Sequence, residues 1–336
     1  MSNKEAVNNL QTIPIGDSGS MSSLRLRHFN WRQYIVYFAF IGVFIIFSLT
    51  LSDSGFVTTN NLLNIVRQTA IISIMAVAMT FVISAAEIDL SIGSIVSLSS
   101  LTSAMALQHG YGIAGAVIAG LGSGLIVGLI NGLLVTRVLI PSFLVTMAMM
   151  GITKGLAMLV SHTAPVPIND DNYVYIFGSG DVGSIPVLLF WMVLVAVVGH
   201  ILLRKTTFGR RTLATGGNQS AARFSGINVA KTKLYVLMGS GVMAGLAGML
   251  YAGRMHSGRY TFGEGDELSV IAAVILGGTS LFGGVGTVIG TVVGALLIGT
   301  INNGLIIMGL DVSQQMIIKG AIIILAVAFG RKAMNR

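Results

Sequence analysis

Charge is scarce in this chain. Only 10% of its 336 residues are Asp, Glu, Lys or Arg, 54% are hydrophobic, and the mean hydropathy is +0.84. A soluble domain carries about a quarter charged residues to hold its surface water. Twenty Lys and Arg with 12 Asp and Glu cannot clothe a 35.2 kDa globule, which leaves a bilayer as the solvent. Cysteine is absent, so disulfides, thiolate metal sites and covalently attached haem are excluded, and the redox compartment is unmarked. No Gly-Lys dipeptide occurs, which removes a phosphate-cradling loop of the G-x-x-x-x-G-K-[ST] kind. The five histidines (His28, His109, His162, His200 and His256) show neither H-E-x-x-H nor paired spacing, as expected of interfacial and loop positions. No catalytic, cofactor-binding or metal-ligating set is visible.

What is there is a series of apolar stretches. A transmembrane helix needs ~20 mostly apolar residues. Ten candidates lie at 34–51, 68–86, 92–107, 112–135, 143–160, 185–203, 234–252, 268–282, 287–308 and 315–329. The third and eighth are short and rich in Ser or Gly, which predicts broken or tilted spans. Residues 1–33 are polar and lack the apolar core of a cleavable signal peptide; they predict a cytoplasmic tail, with Trp31 and Tyr34 as interfacial anchors. The membrane part then runs over 34–330, with its longest basic loop at 204–233 and a short second tail at 331–336.

Basic residues fix the orientation. With the amino terminus inside, Lys4, Arg25, Arg27, Arg32, Arg137, Arg204, Lys205, Arg210, Arg211, Arg223, Lys231, Lys233, Arg331, Lys332 and Arg336 fall in cytoplasmic segments. Only Arg254 and Arg259 fall outside, beside most of the acids, while Arg67, Lys154 and Lys319 lie at span ends, where they are expected to snorkel. The positive-inside rule therefore predicts both termini in the cytoplasm. The net charge of +8 is thus topological, and nucleic acid is no partner. No loop exceeds ~30 residues, too little for a nucleotide-hydrolysing domain.

The 43 glycines show no collagen-like period. Gly120, Gly124, Gly128 and Gly132 recur every four residues, as do Gly286, Gly290 and Gly294, and on a helix each series predicts a smooth seam for close packing. Asn131-Gly132-Leu133-Leu134 returns as Asn303-Gly304-Leu305-Ile306, 172 residues later and five spans on. An odd offset gives the two halves opposite polarity, which predicts an inverted repeat with a solute path near its interface. The fold expected is an all-α membrane protein of about ten helices.

Ionisable residues at membrane depth are functional candidates by default. Glu87 and Asp89 sit where the second span gives way to the third, and Asp89 or Ser91 is also placed to cap that third helix. Glu87, Asp89, Asn131 and Asn303 are the candidates for a translocation path or gate, and the two asparagines equally suit helix-to-helix hydrogen bonding.

In the basic loop, Asn218 is a good N-cap, residues 219–225 make two turns, and Gly226 is a good terminating residue. A short capped helix on a cytoplasmic face suits a groove on a partner protein, or the lipid headgroups. The run Thr206-x-Phe208-Gly209-Arg210, then Ala214-Thr215-Gly216-Gly217-Asn218, then Ala221-Ala222-Arg223-x-Ser225-Gly226-Ile227-Asn228-Val229, resembles the permease subunit of bacterial ribose-type ABC sugar importers. So do Glu267-Leu268 with Val270 to Leu281 and Gly283-Gly284, Asn302-Asn303-Gly304-Leu305, and Gln315 to Gly320.

The resemblance implies a pair of such permeases in a bacterial cytoplasmic membrane. It also implies an ATPase partner carrying two nucleotide-binding domains, with its ATP and magnesium, and a secreted or periplasmic sugar-binding protein. The coupling segment falls on Gly216, Gly217, Asn218, Ala221, Ala222, Arg223 and Gly226, and the permease itself is no enzyme. Two acids depart from the family's pattern. Glu87 stands where members read Gly, and Asp266-Glu267-Leu268-Ser269 where they read Tyr-Glu-Leu-Asp. The rival expectations are a proton-coupled secondary transporter working through Glu87 or Asp89, and a membrane scaffold or receptor without transport.

Overall fold

The computed structural model describes residues 35–332, so the tail at 1–33 and its anchors lie outside the described residues, as do residues 333–336. In chain order the helices are α1 (Ile35–Thr50), α2 (Thr59–Ser84), α3 (Ile92–Gln108), α4 (Gly112–Leu133), α5 (Ser142–Ser161), the single turn α6 (Asp171–Val174) and α7 (Val187–Lys205). They continue with α8 (Thr207–Gly217), α9 (Gln219–Phe224), α10 (Val229–Met255), α11 (Asp266–Leu276), α12 (Val288–Ile307) and α13 (Val312–Lys332). Each of the ten apolar stretches therefore contains a helix. Among the described residues, six helices are long and apolar enough to cross a membrane: α2, α4 with its extension to Val138, α5, α7, α10 and α12. Strand structure among the described residues is limited to two antiparallel pairs, β1 (Val166–Pro167) with β4 (Ser257–Gly258), and β2 (Asp181–Val182) with β3 (Ile185–Pro186).

Local chemistry ends these helices. A five-residue π turn, Leu134–Val138, extends α4 until Leu139 turns left-handed at φ 64° and Pro141 blocks continuation. Both α5 and α10 stop on left-handed histidines, His162 and His256. The eighth apolar stretch is half helix. Gly277 and Gly278 terminate α11 after 11 residues, and Gly278, Gly283 and Gly284 carry positive φ through the loop that leads to α12.

Burial sorts the helices into layers. On α2, residues 69–71 and 73–84 are all buried, and α3 is buried along most of its length, so these helices form the centre with α10. Facing outward, α4, α5 and α7 show Ile118, Ile126, Leu159, Leu194 and Val197, as lipid requires. Serines riddle α3 without breaking it. Ser94, Ser97 and Ser100 each donate to the carbonyl three residues back, Ser99 meets Ser123 of α4 at 2.9 Å, and Ser103 meets the Tyr173 hydroxyl at 2.9 Å. Every such bond satisfies a hydroxyl that hydrocarbon could not.

The glycine seam on α4 is real, and its partner is α10. An added Cβ at Gly120 would lie 2.7 Å from Met249 Cγ, at Gly128 2.6 Å from the Leu237 carbonyl, and at Gly132 2.6 Å from Leu234. Gly124 faces Gly241, so α10 brings small residues of its own. Gly290 and Gly294 play the same part on α12, against Gly277 and Ala273. Gly286 differs from the expectation. It precedes the cap Thr287, so it belongs to the loop and packs on Ser84 instead of continuing a helical stripe.

Candidate coupling and gating site

Three side-chain caps shape the basic loop. Thr206 accepts from the Gly209 amide at 3.3 Å and starts α8, Asn218 accepts from Ala221 at 2.9 Å and starts α9, and Asn228 accepts from Lys231 at 2.9 Å and starts α10. The end of α9 is a Schellman turn. Gly226 at φ 81° donates to the Arg223 carbonyl and Ile227 to that of Ala222, both at 3.0 Å. So α9 is short but fixed at both ends. Ala222 is buried beneath it, while Arg223 points outward and Phe224 is 93% exposed at the tip. That bare aromatic is a functional candidate the sequence reading passed over; its signal was an apolar ring on an otherwise polar helix.

The root of this loop is packed backbone against backbone. Gly216, in the last turn of α8, sits in a nook made by the end of α2 and the loop after α11. An added Cβ there would collide with the Ser84 carbonyl and lie 2.9 Å from the Gly284 amide. Gly284 in turn donates to the Ser84 carbonyl at 3.0 Å, and Gly283 faces Gly216 and Ala86. The end of α8 is therefore in direct backbone contact with α2 and with the α11–α12 loop.

The turn between α2 and α3 carries both acids, and each is satisfied. Ala86 at φ 59° reverses the chain there. Glu87, only 6% exposed, forms an ion pair with Lys233 of α10. Lys233 also donates to the Gln219 side chain at 3.3 Å, so one ammonium ties this turn to the first residue of α9. Asp89 is fully buried. It accepts from the Ser91 amide at 3.0 Å, the Ser91 hydroxyl at 2.6 Å and Ser240 of α10 at 2.7 Å. Asn131 of α4 donates to Ser91 at 2.8 Å. Neither Asp89 nor Ser91 caps α3 in the expected way, since the Asp89 bonds stop at Ser91 itself. Ser240 stands ~16 Å along α10 at 1.5 Å per residue, near its middle, so Asp89 lies deep in the bundle.

Asn303 stands elsewhere. It exchanges amide hydrogen bonds of 2.8 and 3.0 Å with Asn61, at the far end of α2 from Ser84, roughly 35 Å along that helix. Of the four gating candidates, Asp89 and Asn131 meet at Ser91, Glu87 is tied to the start of α9 through Lys233, and Asn303 stands apart. Two of the three span-end cations are paired as well. Arg67 binds Asp181 through both carboxylate oxygens at 2.8 and 3.0 Å, and Lys154 binds Glu264 at 2.9 Å, so neither simply snorkels.

Residues 61–327 match the family model described as the branched-chain amino acid transport system permease component. The ribose import permease of Bacillus subtilis is 42% identical over 295 residues, covering 87% of this chain and 92% of that protein. That of Escherichia coli K12 is 40% identical, covering 84% and 89%. The chain belongs to the ABC-transporter permease family. The L-arabinose ABC transporter permease of Azospirillum brasilense is 36% identical, covering 99% of this permease and 98% of its own length. No solved structure matches. Glu87 and Asp266 both have partners: Glu87 pairs with Lys233, and Asp266 accepts from the Tyr251 hydroxyl at 2.7 Å.

Proposed function

We propose that this permease carries a monosaccharide, of the pentose class that its relatives' names print (ribose, arabinose, xylose), across a bacterial cytoplasmic membrane by alternating access. A partner ATPase with two nucleotide-binding domains supplies ATP and magnesium chemistry, a secreted or periplasmic binding protein delivers the sugar, and a second permease copy or close paralogue completes the path. This chain supplies no catalytic residue. The observation that carries the reading is the build of α9: locked at both caps, rooted through Gly216 on two membrane elements, and bare at Arg223 and Phe224.

We further place about ten spans in an inverted repeat with both termini cytoplasmic. Helices α2 to α5 and α10 to α13 support this, because their starts lie 170–176 residues apart, pair by pair. Packing follows the same correspondence. As α4 lies on α3 and α10, so α12 lies on α11 and α2, which exchanges partners between halves as interlocked repeats do. The proton-coupled alternative finds no support here. Glu87 is held by a lysine and Asp89 by three donors, which leaves no evident relay.

Docking is tested at the tip of α9. Phe224→Ala is expected to weaken ATPase binding by about 2 kcal/mol, roughly thirtyfold, as for a buried aromatic anchor. Arg223→Glu is expected to abolish uptake, with membrane insertion intact in both variants. Wild-type uptake and ATPase co-purification by both would contradict this assignment.

A further inference from the structure

A cavity of about 240 Å³ opens between α3, α5 and the connection from α10 to α11, lined by Ser94, Ser97, Lys154, Phe262, Glu264 and Glu267. Its volume is that of roughly eight liquid waters at ~30 Å³ each, the scale of one small solute. We propose that this cavity is a passing site for a monosaccharide inside the permease, an inference that rests on the importer reading above.

Its chemistry is that of a polyol site. The Ser94 hydroxyl hydrogen is committed to the Ser91 carbonyl at 2.8 Å, so its oxygen retains a lone pair to accept a solute O–H. Glu267 adds a carboxylate acceptor. Lys154 is a donor with one proton engaged on Glu264 at 2.9 Å, and its ammonium lies 5.3 Å from the centre of the Tyr260 ring. Phe262 adds an apolar ring to the lining, held by stacking on Tyr251 at 5.5 Å. Donors and acceptors beside an aromatic ring match a neutral solute with several hydroxyls. A branched hydrocarbon side chain would offer those groups no hydrogen-bond partner.

The two glycines of this cavity differ in the room beside them. A Cβ at Gly93 would lie 2.3 Å from the Gly263 carbonyl oxygen and 2.5 Å from Glu267 Oε2, whereas one at Gly151 meets nothing within 4 Å. Gly151 therefore offers a place to listen. Because the chain has no cysteine, Gly151→Cys gives a single thiol in the cavity, and Ser184→Cys gives one on the exposed turn between β2 and β3 as a control.

The experiment measures labelling by a small water-soluble thiol reagent in the assembled transporter, with ribose, L-arabinose or xylose added. At ten times its dissociation constant, a sugar that fills the cavity slows Gly151→Cys labelling about elevenfold, leaving Ser184→Cys unchanged. Labelling at Gly151→Cys that ignores all three sugars, or fails altogether because water never reaches the thiol, overturns the proposal. Sugar import by the unsubstituted complex is measured alongside. Normal import with sugar-independent labelling removes the cavity site alone, whereas absent import removes the importer reading and the site with it.

Discussion

Gly216→Val is expected to abolish sugar import while the ATPase still binds. The substitution touches neither Arg223 nor Phe224, so the docking tip of α9 survives. What it removes is the close approach of α8 to the Ser84 carbonyl and the Gly284 amide, where a single Cβ already has no room. Both neighbours are backbone, and the Ser84 carbonyl is itself bonded to Gly284 at 3.0 Å, so neither yields cheaply. The helix must therefore lift from its nook. Force delivered at α9 then no longer reaches α2 or the α11–α12 loop, and ATP hydrolysis continues without transport. The ratio of sugar imported to ATP hydrolysed in proteoliposomes reads this directly. A ratio equal to that of the unsubstituted permease would mean that coupling runs elsewhere.

Lys233→Met is the second large effect, and it acts through a charge left alone. Glu87 and Lys233 are both largely buried, with side-chain exposures of 7% and 17%. Removing one partner of a buried pair costs about 3–5 kcal/mol, because the other charge is stranded, while removing both is often neutral. Lys233→Met alone should therefore lower the thermal unfolding temperature and uptake, and adding Glu87→Gln should restore most of both. The double variant separates the mechanisms as well. A proton-coupled carrier working through Glu87 stays dead in it, whereas an ATP-driven permease recovers. Failure of the second substitution to rescue either stability or uptake would show that the ion pair is not what holds this turn to α10.

Local chemistry made much of this legible. The caps of α9 were readable because Asn218 and Gly226 act on amides and carbonyls three or four residues away. The seam on α4 was readable because a four-residue glycine spacing makes a helical stripe whatever lies opposite. The same logic misled at Gly286, where the stripe continues in sequence but the helix has not yet begun. At the eighth span the glycines were legible, since a Gly-rich run predicts a break and α11 stops at the Gly277-Gly278 dipeptide. Partners distant in sequence were out of reach. Nothing near Glu87 announces Lys233, and nothing near Gly216 announces Ser84 and Gly284, because three separate elements must fold before those contacts exist. Asn131 and Asn303 look alike in sequence, yet one joins the Asp89 group and the other pairs with Asn61.

The most direct measurement is sugar accumulation in proteoliposomes holding the permease, its ATPase and its binding protein, with and without ATP and with a proton uncoupler present. The account predicts accumulation of ribose or a related pentose only when ATP is supplied, and no loss when the uncoupler is added. Accumulation by the permease alone, driven by a proton gradient and abolished by the uncoupler, would contradict it.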